Sequence, residues 1–416
     1  MFALVDANAF YASAEAVFRP DIRHKGIVVL SNNDGVVVAA NRKAQEVVPK
    51  FTPFFKVRHL CQQHNIEVFS SNYPLYADLS AKMMEVIGQF APEQYIYSID
   101  ETFLSFNDCQ QTDNEYLQLG SEIRLNVWKK CRLPVCVGMA KTLTLAKLAN
   151  RLAKKQRQQQ GVCLFNSAEV IEQALAITPI DDVWGIGRRL TQRLNVLGIK
   201  TALDLTRYPF DRIKAEFNRT LCETVRELKG EACIHWHAVE EENRQIFSTR
   251  TLGQPVFCLD DLQQALIKHS QIAANKLRKK KQCAEALVIF AGDIAFDRPN
   301  VRLQALYQFA QPTADSLIIS QAVSKLVPQL FRPEVKYQKV GVGLIGLVKE
   351  QHVQSDLFIP DDNRSLMTAL DGLNQKYGQN TLFIAGQGIE QKWAMRQQYL
   401  SPHFTTNWKD IPIIYS

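Results

Sequence analysis

The sequence predicts an α+β chain of several domains, on three observations. Residues up to about 165 read as a β-α-β-β-α-β series, residues 170 to 230 read as wholly helical, and residues 245 to 348 repeat the β-α-β-β-α-β order. A length of 416 residues, at roughly 100 to 200 residues per domain, allows two to four domains. With 46% hydrophobic and 22% charged residues, the composition excludes general disorder.

The elements follow in order. FALVDANAFYASAEAVF is a short apolar strand that turns helix-like after Asp6, so one carboxylate sits at a strand end. GIVVLSNNDGVVVAANRKA reads as two strands around the turn SNNDG, with a helix from about Asn41. IEVFSSNYPLYADLSAKMMEVIGQFA passes through a Pro-marked turn into a helix. QYIYSIDETFLSF is β-branched and aromatic, but Asp100 and Glu101 interrupt its centre. A helix at about 113 to 130, the strand PVCVGMA, a basic helix and a strand near GVCLF complete the first series, expected as a split sheet with helices on one face. The boundaries are 1–19 and 77–166 for this domain, 20–76 for an insertion, 167–235 for the helical domain and 236–244 for a polar linker. A second α+β domain at 245–348 could share the topology of the first, and 349–416 reads as a C-terminal tail ordered only in part.

The net charge of +7 is modest, but its distribution is uneven. Between Ile123 and Ala168 there is no acidic residue and there are ten basic ones, a segment suited to a polyanion, or else a solvated helix face. Nine cysteines without a CxxC argue against disulfides and zinc. The apolar runs are too short to cross a bilayer and the start does not read as a leader, so a cytosolic protein with no membrane partner is expected.

Adjacent Asp100 and Glu101 within an apolar strand pair need compensation, because unpaired buried charges cost several kcal/mol or more. Asp6 can lie beside them if 1–6 and 95–105 pair in one sheet. Three carboxylates at one point repel unless cations are present, and oxygen-only ligation suits Mg²⁺. Two such ions about 4 Å apart can activate a hydroxyl and stabilise a leaving phosphate oxygen. A hairpin turn with solvated acids is the plainer alternative, and the apolar flanks weigh against it. On the basic helix Lys147, Arg151 and Lys154 form a stripe opposite Leu145, Leu148, Ala149 and Leu152, and Lys154, placed near the acids, could hold a nucleotide's β- or γ-phosphate. DDVWGIGRRLTQRLNVLGIKTALDL has a helix-hairpin-helix pattern: Gly185 and Gly187 make a tight turn whose helix start, with Arg188 and Arg189, faces a phosphate. Lys276, Arg278, Lys279, Lys280 and Lys281 fit a second phosphate contact or a solvated helix end. His235 and His237 read as structural or exposed.

FALVDANAFYAS, SSNYPLYADLS, YSIDETF, TLAKLANRLAKK, DDVWGIGRRL and SPHFTTNWKDIP together resemble the Y-family translesion DNA polymerases along the whole chain. The resemblance implies a right hand: a palm with a ferredoxin-like sheet, inserted fingers, a helical thumb with the hairpin motif, and a little finger. It implies that Asp6, Asp100 and Glu101 are catalytic and bind two Mg²⁺ ions, with the Ala7 carbonyl contributing. It makes Tyr11 the steric gate against a ribose 2′-OH, Phe10 a residue under the incoming nucleotide and Lys154 a triphosphate contact, and Arg42, with Lys43, could act as a nucleotide-binding residue that compensates for positive charge lost nearby. Gln45, Ala40 and Leu143 stand where the family has basic residues. The partners implied are primer-template DNA, dNTPs, a processed UmuD-like dimer, a RecA filament and a sliding clamp. Gln354, Leu357 and Phe358 match a QxxLF clamp-binding peptide, or else Leu357 and Phe358 cover the preceding domain. The activity expected is error-prone translesion synthesis in the SOS response, without proofreading because no second acidic cluster remains. Two other readings stay open: a two-metal nuclease or nucleotide cyclase on the same palm, and a non-catalytic DNA-damage or regulatory protein that keeps the fold.

Overall fold

Alternate residues of a strand point to opposite sides of its sheet, and in strand β1 (Phe2–Ala7) both sides are apolar: Ala3, Val5 and Ala7 enter one core while Leu4 enters another. This is the origin of a sheet covered on both faces. The computed structural model describes every residue except 108, 110, 157–158, 236–243, 295–297, 355–357, 359–361 and 413–416. The chain divides into two compact units, Met1–Glu240 with Gln398–Ser416, and Glu241–Gln397.

In the first unit β1 leads into α1 (Phe10–Glu15). Strands β2 (Ile27–Leu30), β3 (Val37–Ala40) and β4 (Glu67–Ser70) form a small sheet in the order β3-β2-β4, with helices α2 (Arg42–Gln45) and α3 (Phe54–Gln63) between β3 and β4. Helix α4 (Tyr73–Gly88), the hairpin β5 (Glu93–Ile96) and β6 (Glu101–Ser105), helix α5 (Asp113–Cys131), β7 (Val135–Ala140), α6 (Leu143–Lys155) and β8 (Val162–Leu164) complete a five-stranded sheet, β5-β6-β1-β7-β8. The first four strands of that order have the ferredoxin-like arrangement, all neighbours antiparallel.

The expectation of helices on one face is corrected. Residues of α1, α4 and α5 share a core with Ala3, Val5, Val135 and Val137, whereas Leu145, Ala146 and Ala149 of α6 share another with Leu4, Phe103 and Cys136. Helix amphipathicity alone does not say which side of a sheet a helix covers. Helix α6 lies close on β7 at Gly138, where a Cβ would come within 2.0 Å of the Asn150 amide nitrogen. Buried Asn150 then donates to the carbonyls of Leu4 and Cys136 at 3.1 and 2.8 Å.

Helices α7 (Ala168–Ile177), α8 (Arg188–Val196), α9 (Ala202–Arg207), α10 (Phe210–Glu216) and α11 (Arg219–Leu228) follow. Fully buried Glu227 joins α11 to the start of α6. Its carboxylate accepts from Thr144 N–H at 3.0 Å and from the N–H groups of Cys233 and Ile234, while its carbonyl accepts from the Thr142 hydroxyl. A buried charge with this many donors is satisfied rather than stranded.

The second unit carries β9 (Gln245–Val256), α12 (Leu259–Lys279), β10 (Gln282–Gly292), β11 (Arg302–Thr313), α13 (Ser316–Leu330), β12 (Tyr337–Lys349) and α14 (Arg364–Tyr377). Its sheet runs β11-β10-β12-β9, all antiparallel. The element series matches that of the first sheet but the strand order does not, so the two do not share a topology.

The C-terminal region is also more structured than its Pro-punctuated sequence suggests. Helix α14 presents Asp371 to α12, where Arg278 grips it through two nitrogens at 2.7 and 2.8 Å and Asn275 donates to the same carboxylate. Arg278 is thereby a structural residue and not a free phosphate contact. Beyond Gln397 the chain belongs to the first unit again. The proposed linker over 236–244 lies, except for Arg244, outside the described residues, as does His237.

Candidate active site

The antiparallel register of β1 and β6 places Asp6 directly opposite Glu101. Both residues share the sheet face of Leu4 and Phe103, the face covered by α6, by the two-residue period of the strands. The sequence condition that 1–6 pair with 95–105 is met. One turn of α6 is 3.6 residues, so Lys147 and Lys154 lie on one stripe. Lys154 Nζ is 2.5 Å from Asp6 Oδ2, and Lys147 Nζ is 2.9 Å from Glu101 Oε2. Burial pushes the Asp6 carboxyl up to about 7 against the pull of Lys154, with Glu101 adding repulsion. A cavity of about 240 Å³ opens beside these groups, lined by Asp6, Glu101, Lys147, Arg151, Lys154 and Asp182 among others.

Asp100 sits on the turn before β6. Its carboxylate accepts from the Ser98 hydroxyl at 2.6 Å, and its carbonyl accepts from the Ala7 N–H at 3.0 Å. Two of the three expected carboxylates therefore meet side by side, and the third is one residue away, turned to Ser98. Among the described residues no three His, Cys, Asp or Glu side chains converge at metal-ligand spacing.

Between Asp6 and the aromatic pair, the chain turns from strand to helix through Ala9 in the left-handed region, φ 47°. An alanine there is strained by roughly 1 kcal/mol. The Tyr11 ring stacks on Tyr76 at 4.7 Å and meets Tyr73 edge-on at 5.9 Å. Burial, Tyr73 and the Asp100 charge raise its phenol well above the usual range. Phe10 is 3% exposed and packs against Tyr76 from within the core.

Arg42 begins α2 and is exposed. Of the three positions lacking the family's basic residue, Leu143 and Ala40 are buried in apolar cores, and the Gln45 amide donates to the Ala40 carbonyl at 2.5 Å. Leu143 stands in the first turn of α6. Lys43 donates to the His24 carbonyl.

The basic segment is largely engaged within the protein. Arg151 and Lys155 both pair with Asp182, Lys147 and Lys154 hold the site, and Arg124 donates to the carbonyls of Val135 and Gln160. Sequence reasoning missed the cage around Lys147: its ammonium lies 4.2 Å from the Tyr97 ring centroid and 5.0 Å from that of Trp184, whose indole N–H donates to Tyr97. The spacing of Lys147 and Lys154, seven residues apart on one stripe opposite two acids, was the available signal.

At the hairpin, Gly185 has φ +87°, while Gly187 caps α8 with open space where a Cβ would stand. Arg188 and Arg189 are exposed at the start of that helix, and Lys279 and Lys280 are exposed at the end of α12. Gln354 is exposed, and Phe358 is 94% exposed. Leu357 lies outside the described residues.

Residues 5–151 match the impB/mucB/samB family, residues 243–357 match the C-terminal domain of that family, and residues 364–414 match a domain of unknown function. The chain is 40% identical over 421 residues to protein UmuC of Salmonella typhimurium, and 39% identical over 422 residues to protein MucB of Escherichia coli, covering 99% of both chains in each case. It is 25% identical to DNA polymerase IV of Pelotomaculum thermopropionicum, over 92% of this chain and 94% of the relative. Among solved structures, a Y-family DNA polymerase chimera aligns with a TM-score of 0.67 and 21% identity, covering 84% of this chain and 100% of the other. An insertion ternary complex of Dbh DNA polymerase aligns over the same shares with a TM-score of 0.53. At that identity the likeness is one of fold.

Proposed function

The chain belongs to the impB/mucB/samB family of UmuC-type, Y-family DNA polymerases, and from that premise we propose that its palm carboxylates carry out two-metal nucleotidyl transfer on a primer terminus. It is a DNA-directed DNA polymerase of the translesion class. The observation that carries the site assignment is the register pair Asp6 and Glu101, each held by its own lysine.

The residues fit a hard divalent cation. The donors are oxygens, and burial holds the Asp6 carboxyl at about 7 with only a lysine to offset it, an environment that a divalent cation relieves. Asp6, Asp100 and Glu101, with the Ala7 carbonyl, would hold Mg²⁺. When bound, Mg²⁺ supplies Lewis-acid stabilisation of charge on the attacking and leaving oxygens. Lys154 is placed to exchange Asp6 for a phosphate oxygen of the incoming dNTP and to neutralise charge as pyrophosphate leaves. Lys147, caged by Tyr97 and Trp184, keeps Glu101 oriented. Tyr11 packs under the sugar and excludes a 2′-OH by contact, with Phe10 and Tyr76 behind it, and Arg42 reaches toward the triphosphate.

Primer-template DNA and dNTPs are the substrates in this reading. The Gly185–Gly187 turn with Arg188 and Arg189, and Lys279 and Lys280 in the second unit, hold DNA phosphates without reading bases. A sliding clamp engaging Gln354, Leu357 and Phe358, a processed UmuD-like dimer and a RecA filament are proposed partners. The domain boundaries are proposed as palm 1–19 and 77–166, fingers 20–76, thumb 167–235 and little finger 245–348.

Incubating purified protein with primer-template, Mg²⁺ and dNTPs, and resolving the products in one gel lane, tests the function. Extended primer without shortened products is expected. Cleavage without extension would favour a nuclease on the same palm.

A further inference from the structure

The segment after Gln397 lies within a match to a domain with no assigned function, yet it is bonded to Asn72, the cap of the helix that carries Tyr73 and Tyr76. Its path begins at the small sheet. Gln398 N–H donates to Asp34 at 2.7 Å, Tyr399 exchanges hydrogen bonds with Ser70 at 2.9 and 3.0 Å, and the Tyr399 ring meets Phe54 edge-on. Further on, Phe404 stacks on Phe18 at 5.0 Å and the Thr405 hydroxyl donates to Asp78 at 2.7 Å.

The central contact is Asn72 with Ser401. Asn72 is fully buried at the cap of α4, and its amide nitrogen donates to the Ser401 carbonyl at 3.2 Å, the Ser401 hydroxyl at 2.9 Å and the Pro402 carbonyl at 3.3 Å. Its own capping bond, to Leu75 N–H, is long at 3.4 Å. A weak cap leaves the start of α4 to be oriented by the strap rather than by its local turn. That start carries Tyr73 and Tyr76, whose rings contact Tyr11. Ser401 also faces Glu15, the last residue of α1, which carries Phe10 and Tyr11. Glu15 Oε1 accepts from the Tyr76 hydroxyl at 2.5 Å, and the Ser401 hydroxyl favours its charged form without closing a full hydrogen bond to Oε2. One serine thus lies at the junction of the two helices that make the gate.

We propose that residues 398–405 are a positioning strap that sets the angle between α1 and α4, and through it the sugar selectivity of the Tyr11 gate. The inference rests on the gate reading above. Asn72 and Ser401 are positioning residues, remote from the reacting atoms.

Asn72→Asp separates the two duties of Asn72. The carboxylate keeps an acceptor for the α4 cap, where negative charge is favoured, but it turns the amide donor into a second acceptor facing two carbonyls. The expected result is a roughly tenfold rise in ribonucleotide relative to deoxyribonucleotide kcat/KM, the scale of a lost hydrogen-bonded contact, with primer-template affinity unchanged. Ser401→Ala should give a smaller rise in the same direction and serves if Asn72→Asp folds poorly. Thr405→Ala, at the exposed end of the strap, should leave the ratio alone. A merely structural role would lower both efficiencies together and leave their ratio constant. Tyr11→Ala is measured in parallel. If it raises the ratio while Asn72→Asp and Ser401→Ala do not, the strap's role is overturned and the gate stands. If Tyr11→Ala leaves the ratio unchanged, the gate assignment fails and the strap inference with it.

Discussion

The five-stranded sheet of the first unit and the four-stranded sheet of the second are made from the same element series, but their centres do different work. In the first, the central strands β1 and β6 are the first and third of the series, and their paired ends present Asp6 and Glu101 to the lysines of α6. In the second, the central strands β10 and β12 are the second and fourth, and Leu287, Ile289, Val340, Val342 and Leu344 bury an apolar face there. Where a Cβ on Gly341 or Gly343 would stand, the rings of Phe290 and Phe247 lie instead. One sheet holds a carboxylate pair offset by two lysines; the other is a packed platform for two helices. Strand order decides which residues share the centre, and so which sheet can be a reaction site.

The largest effect that should separate them is on activity. Asp6→Asn should lower primer extension by about a thousandfold or more, a several-kcal/mol loss of metal-borne stabilisation, while the melting temperature stays about level because burial already favours the neutral carboxyl and the released Lys154 is partly exposed. Leu287→Ala should do the reverse. It should cost about 2–5 kcal/mol of stability in the second unit and leave the chemical step in a bound complex intact. Loss of chemistry in Leu287→Ala, or loss of folding in Asp6→Asn, would break the distinction.

A second contrast is in pH response. In the first unit burial raises the Glu15 carboxyl to about 7 from 4.5. The neutral acid is favoured in the folded state, so this stability is complete below about 4.5 and is lost as pH rises through about 7. In the second unit burial, aided by Arg250, Lys268 and Lys276, lowers His269 to about 4 from 6.5, with Ser248 hydroxyl at 2.9 Å from its Nδ1. Its contribution is complete above about 6.5 and is lost as pH falls through about 4. Each is on the order of 3 kcal/mol. Amide hydrogen exchange followed unit by unit between pH 4 and 8 should show slopes of opposite sign, and Glu15→Gln should shrink only the first, leaving the share due to Asp6. Parallel slopes in the two units would contradict these environments.

The smallest effect concerns the nucleotide side of the palm. Gln45, folded back on the Ala40 carbonyl, leaves a place for charge. Gln45→Lys should lower the apparent dNTP KM by roughly fivefold, about 1 kcal/mol for an exposed charge-assisted contact. An unchanged KM would mean that Arg42 already supplies it.

Much of the catalytic face was legible because it is written in strand alternation. An Asp at the end of one apolar strand and an Asp-Glu pair inside another need a common partner, and the register supplies it. Lys154 was legible because a 3.6-residue stripe has few positions to choose from. The Lys147 cage was not, since Trp184 comes from the helical region and periodicity carries no information on which helix covers a strand end. Ala9 has no residue-type signature of its left-handed backbone. The contact of Asn72 with Ser401 joins positions 329 apart in sequence, and nothing local in SPHFTTNW indicates that it returns to α4. Strand order in the second sheet was hidden for the same reason: both orders bury the same apolar residues.

The central claim is that the carboxylates at the ends of β1 and β6, with Asp100 on the adjoining turn, are the chemical centre, while DNA is held elsewhere. Its most direct measurement pairs primer extension with primer-template binding for Asp100→Asn. The account predicts extension reduced about a thousandfold or more with DNA affinity within about twofold of the parent, since it assigns phosphate holding to the hairpin and the second unit. Substantial extension by Asp100→Asn, or a parallel collapse of DNA affinity, would contradict it.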